Sequence, residues 1–137
     1  MDYNKSLDDV QKALSELIEE NKKFPVVVEG ERDVEALRKL GLTGEIITVN
    51  SGLTLIDFCD HIADKYNEII LLTDWDRKGG FLYHTIERNL EGRVKCNGYY
   101  REVFAKNATI KTVEGLASYM KNIREKIVFN IRSVDKI

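Results

Sequence analysis

Apolar positions along the chain follow two rhythms in alternation. Leu7, Val10, Leu14, Leu17 and Ile18 recur at the spacing of one helical face and predict a helix over about 6–21. Ser6 is expected to cap it, with Asp9 three positions on in a capping-box-like arrangement. Phe24-Pro25 ends the pattern. Val26-Val27-Val28 is then a β-branched run without alternation, the mark of a strand covered on both faces, and such strands belong mostly to parallel sheets.

The two rhythms then repeat. A helix is expected over about 31–40, with Val34, Leu37 and Leu40 on one face and Gly41 placed to end it. Glu45–Val49 reads as a second strand, and Asn50-Ser51-Gly52 as a turn, or as backbone donors for a phosphate at the next helix start. Leu55, Ile56, Cys59, Ile62 and Ala63 give a helix over about 54–66. Glu68–Thr73 is a third strand, the Gly79-Gly80 pair opens a helix to about residue 90, and Arg93–Cys96 is a weaker fourth strand. Helices near 99–106 and 113–126 complete the chain. Strands alternating with single helices specify an α/β fold: a Rossmann-like three-layer α/β/α arrangement with a mostly parallel sheet of about four strands, flanked by N- and C-terminal helices. We expect a single domain over 1–137, with its core at about 24–100.

Composition narrows the class. A chain of 137 residues that is 43% hydrophobic has room for one well-buried core. Its longest apolar runs, such as Ile69–Leu72, fall far short of the roughly 20 residues a membrane helix needs, and its acidic start does not resemble a signal peptide. A cytoplasmic protein without membrane association is expected. Cys59 and Cys96 have no thiol or histidine at metal-ligand spacing and are read as reduced. The net charge of −2 conceals an asymmetry: residues 1–91 carry 11 basic and 19 acidic residues, whereas residues 92–137 carry 10 and 4. The basic third, with Lys121, Arg124 and Lys126, either contacts phosphates or solvates a final helix.

In an open parallel sheet the functional crevice lies beyond the carboxyl ends of the strands. Glu29 ends the first strand and is followed by Gly30. Asp74 and Asp76 end the third and are followed by Arg77, Lys78 and Gly79. If those strands are neighbours, three carboxylates converge. Residues i and i+2 of an extended backbone point the same way, so Asp74 and Asp76 face one pocket and Trp75 packs away from it. Oxygen donors without histidine or thiolate suit a hard cation, Mg²⁺ with Mn²⁺ as substitute. Mutual repulsion among the carboxylates would be relieved by such an ion. Arg77 is the candidate to clamp a phosphate, and Lys78 is read as a surface residue. His61 and His84 lie in helical patterns and receive no catalytic role.

Val26-Val-Val-Glu29-Gly30-Glu-Arg-Asp33 together with Leu71-Leu-Thr-Asp74-Trp-Asp76-Arg77-Lys-Gly79 resembles the Toprim domain of topoisomerases, primases, OLD-family nucleases and 5S ribosomal RNA maturation ribonucleases. The whole chain is similar to small archaeal proteins that contain little besides that domain. The resemblance implies that Glu29 acts as general acid or base and that Asp74 and Asp76 hold Mg²⁺. Gly30 and Gly79 fit the family pattern, with close backbone approach or positive φ as the physical reason. Asp33 and Glu114 are candidates to assist a second ion, or are helix residues near an N-terminal dipole. Topoisomerases carry their nucleophilic tyrosine on another domain, so Tyr83, Tyr99, Tyr100 and Tyr119 are not expected to support strand passage. The expected function is Mg²⁺-dependent phosphodiester chemistry on RNA or DNA, foremost as a nuclease. The alternative is a non-catalytic nucleic-acid-binding or adaptor module with a partner protein. A small phosphoester substrate ranks lower, because neither a Walker-type loop nor a Gly-x-Gly-x-x-Gly turn is present.

Overall fold

The computed structural model describes residues 3–107 and 110–135. Its elements follow in the order α1 (Tyr3–Asn21), β1 (Val26–Val28), α2 (Glu31–Leu40), β2 (Ile46–Thr48), α3 (Leu55–Lys65), β3 (Glu68–Leu71), α4 (Arg77–Leu90), β4 (Lys95–Asn97), α5 (Tyr99–Asn107) and α6 (Val113–Asp135). The strands form one parallel sheet in the order β2-β1-β3-β4. β1 and β3 are thus the central pair, with Val26 opposite Ile70 and Val27 opposite Leu71.

Successive residues of these central strands enter opposite cores. Val26, Val28, Ile70 and Leu72 pack with Leu14 and Leu17 of α1, Leu37 of α2, Phe104 of α5 and Leu116 of α6. Val27, Ile69 and Leu71 pack with Phe58 and Ile62 of α3 and Ile86 and Leu90 of α4. Helices cover both faces, which is why the strands read as unbroken apolar runs. Each such side chain, fully removed from water, contributes about 1.5–3 kcal/mol. The three-layer α/β fold with a four-stranded parallel sheet agrees with the expectation.

Local punctuation explains where elements stop. Gly41 ends α2 at φ 111°, and the N–H groups of Gly41 and Leu42 donate to the carbonyls of Arg38 and Leu37, a Schellman-type closure that favours glycine. Thr54 caps α3 by accepting from the Asp57 N–H at 3.2 Å. Two starts differ from the pattern. α1 begins at Tyr3, so Ser6 lies inside the helix and is 7% exposed rather than capping it. α4 begins at Arg77 with Asp76 as its cap, ahead of the Gly79-Gly80 pair. α6 continues past residue 126 to Asp135. Cys59 and Cys96 are free thiols. Among the described residues no helix is long and apolar enough to cross a membrane.

Candidate metal centre

Because β1 and β3 are hydrogen-bonded neighbours, their carboxyl ends place Glu29 beside the start of the loop that carries Asp74 and Asp76. The Asp74 N–H donates to Glu29 Oε1 at 3.3 Å. Asp74 Oδ1 accepts from the N–H of Val113 at 2.8 Å. Asp76 Oδ1 accepts from the Gly79 N–H at 2.7 Å, and Asp33 Oδ2 accepts from the Gly30 N–H at 3.1 Å. Val113 opens α6, Asp76 caps α4, and Asp33 lies in the first turn of α2. Three helix N-termini, with their exposed N–H groups and positive dipole ends, therefore meet at the same sheet edge and hold three of the four carboxylates.

The electrostatics reflect crowding. Burial raises the Asp74 carboxyl to about 6, against the hydrogen bond from Val113 and reinforced by the charges of Asp33, Glu29 and Asp76. Glu29 is raised chiefly by burial, then by Asp33 and Asp76, while the Asp74 N–H and the Lys78 charge oppose the shift. Asp33, only 6% exposed, is raised by burial and by the charge of Glu114, with the Gly30 N–H opposing. All three shifts go in the direction that a bound cation would reverse.

The loop between β3 and α4 is fixed from several sides. Thr73 Oγ1 donates to the Gly79 carbonyl at 2.8 Å. A Cβ on Gly79 would stand 1.9 Å from the Asp74 carbonyl oxygen, so glycine is required there by close backbone approach. Gly30 differs: its φ of −152° is ordinary extended backbone, and an added Cβ would meet only the Asn50 side chain, at 3.7 Å. Neither steric reason expected for Gly30 applies. Trp75 packs against α5 and the segment before α6. Its Nε1 donates to the Ile110 carbonyl at 2.6 Å, and its ring lies 5.8 Å from that of Phe104.

Arg101 of α5 is a site residue that sequence reasoning missed. Its Nε donates to the Thr73 carbonyl at 3.1 Å and its Nη2 to the Asp74 carbonyl at 2.9 Å. Its guanidinium lies 4.8 Å from the centroid of the Tyr83 ring. Burial lowers its pKa, and the negative charges of Asp76, Asp74 and Glu29 work against that lowering. Nothing local in Tyr99-Tyr100-Arg101-Glu102 announces this role; only the placement of β4 beside β3 brings α5 under the loop. Arg77 and Lys78 are both exposed, and of the two it is Lys78 whose charge acts on Glu29. Glu114 is exposed at the first turn of α6, where it acts on Asp33.

Glu29, Asp74 and Asp76 each engage one oxygen with a backbone N–H. Among the described residues, no group of three or more His, Cys, Asp or Glu side chains closes on a single point. The geometry is thus not a three-carboxylate cage. Mg²⁺ does not need one, since it usually keeps several waters and takes one or two carboxylates beside phosphate oxygens. An all-oxygen set in which burial raises Glu29 and Asp74 fits that mode of binding.

Comparison with known proteins places this geometry in a family. The sequence profile of the Toprim domain matches residues 24–106. A UPF0292 protein of Thermoplasma volcanium is 39% identical over 109 residues, covering 78% of this chain and 92% of its own length. A UPF0292 protein of Methanosarcina acetivorans is 33% identical over 143 residues, covering 98% and 96% respectively. A solved structure from Aquifex aeolicus superposes with a TM-score of 0.66 at 24% identity, over 77% of this chain and 95% of that one, and shows the same fold.

Proposed function

The chain belongs to the Toprim domain family, in its group of small archaeal UPF0292 proteins, and from that premise we propose that it is a metal-dependent nuclease acting on the phosphodiesters of RNA or DNA. The observation that carries the reading is the contact between Glu29 and the Asp74 N–H across the central strand pair. It puts a carboxyl with raised pKa next to the loop that presents Asp74 and Asp76.

In this reading Asp74 and Asp76 are the residues that would hold Mg²⁺, or Mn²⁺ in its place. The bound cation would supply charge neutralisation at the phosphate oxygens. Glu29 moves the proton: burial raises its carboxyl above that of an exposed glutamate, which suits it to act as acid at a leaving oxygen or base at the attacking one. Arg101 fixes the loop by gripping the Thr73 and Asp74 carbonyls, which holds the Asp74 carboxylate in register with Glu29. Lys78 and Arg77, exposed on the first turn of α4, are the cations that meet the scissile phosphate. Asp33 and Glu114 form the rear of the acidic cluster and are the candidates for a second ion.

Incubating the protein with RNA and DNA, single- and double-stranded, in Mg²⁺ and then in Mn²⁺ tests the reading. Cleavage that Glu29→Gln, Asp74→Asn and Asp76→Asn each suppress is the expected result. An intact panel under both metals removes its support. A second reading, a non-catalytic module that docks nucleic acid for a partner enzyme, draws on the use of Asp76 as a helix cap, a role that needs no metal. Binding without turnover distinguishes it.

A further inference from the structure

α6 lies outside the stretch matched by the family, yet it packs along α2. Between the two helices runs an open groove of about 710 Å³. Arg32 and Lys39 line it from α2, and Lys121 and Arg124 from α6. Among the described residues none of these four cations forms an ion pair. Ala36, Leu40, Ala117 and Ser118 complete its lining between the charged residues. The groove begins at the first turns of α2 and α6, where Arg32 and Glu114 line it; those same helix starts carry Asp33 and the Val113 N–H that donates to Asp74.

We propose that this groove is the track for the sugar-phosphate backbone of a nucleic-acid strand, which runs from Lys121 and Arg124 past Lys39 and Arg32 into the carboxylate edge. The proposal deepens the nuclease reading by assigning its substrate a path, and it rests on that reading for the polyanionic nature of the ligand. Two features support it. Cations that form no ion pair among the described residues are available to replace counterions on phosphate, the main source of affinity for such a ligand. The groove also gives Lys121 and Arg124, two of the ten basic residues of the C-terminal third, a common surface with Arg32 and Lys39. Glu35, Glu114 and Glu125 line the groove among the cations, so phosphates are expected at the basic side chains and not along its whole length.

The test is fluorescence anisotropy with labelled 12-nucleotide RNA and DNA, single- and double-stranded, read in EDTA so that cleavage plays no part. The proteins compared are the full chain, Lys121→Glu/Arg124→Glu, Arg32→Gln/Lys39→Gln, and a control with Lys12→Glu/Lys65→Glu outside the groove. Each groove pair is expected to lower affinity by about tenfold at low salt. Each should also reduce the slope of log K against log salt by roughly 1.4 to 1.8, the loss of two phosphate contacts. The control should match the wild type, and circular dichroism should show all four proteins equally folded. Wild-type affinity in both groove pairs overturns the proposal, as does absence of binding by the wild type. It is likewise overturned if the charge reversals change only the sedimentation of the free protein, which would assign the groove to a second copy. Groove-dependent binding without any cleavage upholds the track and removes the nuclease reading. Cleavage with groove pairs as active and as tight as the wild type does the opposite.

Discussion

The N–H of Val113, first residue of α6, donates to Oδ1 of Asp74 at 2.8 Å across 39 positions of sequence. A helix outside the family-matched segment thereby fixes one oxygen of the best candidate ligand and leaves the other to face the crevice. Asp74→Asn keeps an acceptor for Val113 and removes the charge, whereas Asp74→Ala removes both. We expect Asp74→Ala to lose about 1–3 kcal/mol of stability through the buried N–H left without its partner. Asp74→Asn should stay near the wild type or exceed it in EDTA. Urea denaturation of the two variants measures the difference.

The pH dependence follows from the raised carboxyls. Asp74 titrates near 6 when folded, against an ordinary value of 3.8, and Glu29 and Asp33 shift the same way. The folded state therefore binds more protons than the unfolded state between those values, so stability falls as pH rises from about 4 to 6 and the penalty is fully present above. In EDTA the melting temperature of the wild type should drop relative to Asp74→Asn over that range. Divalent cations compete for the ionised form, so their affinity should weaken as pH falls through 6. Parallel melting curves for wild type and Asp74→Asn at every pH would contradict the assignment.

Two glycines near the crevice should behave unlike each other. Gly79→Ala places a Cβ 1.9 Å from the Asp74 carbonyl oxygen and forces the loop to move. A loss of about 1–3 kcal/mol is expected, typical of overpacking, together with loss of cation binding. Gly30→Ala meets ordinary space and should change stability by less than about 0.5 kcal/mol. Equal destabilisation in thermal melts would show that the loop adapts more readily than its contacts suggest.

Asp76 has two separable roles. As the cap of α4 it accepts from Gly79, and replacement by alanine should cost about 1 kcal/mol. Asp76→Ser retains a capping oxygen without the charge. It should therefore fold like the wild type while weakening Mn²⁺ binding, measured by calorimetric titration. If Asp76→Ser binds Mn²⁺ as the wild type does, Asp76 is a cap alone.

Much of this arrangement was legible in the chain and some was not, for identifiable reasons. Val26–Val28 and Ile69–Leu72 announced themselves because strands covered on both faces need no polar alternation, and their acidic ends marked the crevice edge. Trp75 was expected to pack inside the fold, and its ring does so against Phe104, with its Nε1 on the Ile110 carbonyl. Ser6 was misread because a serine before an apolar stripe looks the same whether the helix starts there or at Tyr3. Arg101 and the Val113 N–H were invisible: their partners lie 27 to 39 residues away, and a lone arginine or a backbone donor leaves no local pattern. The raised Asp74 carboxyl was foreseeable as repulsion, but burial, its largest cause, depends on α5 and α6 closing over the loop.

In the proposed reading the carboxyl ends of β1 and β3 hold a divalent cation, which crystals soaked in millimolar Mn²⁺ and measured for anomalous scattering would reveal. A peak is expected at bonding distance from a carboxylate oxygen of Asp74 and of at least one of Glu29 and Asp76, lost in crystals of Asp74→Asn. A wild-type map with no peak at that edge, or with Mn²⁺ bound only elsewhere, would contradict it.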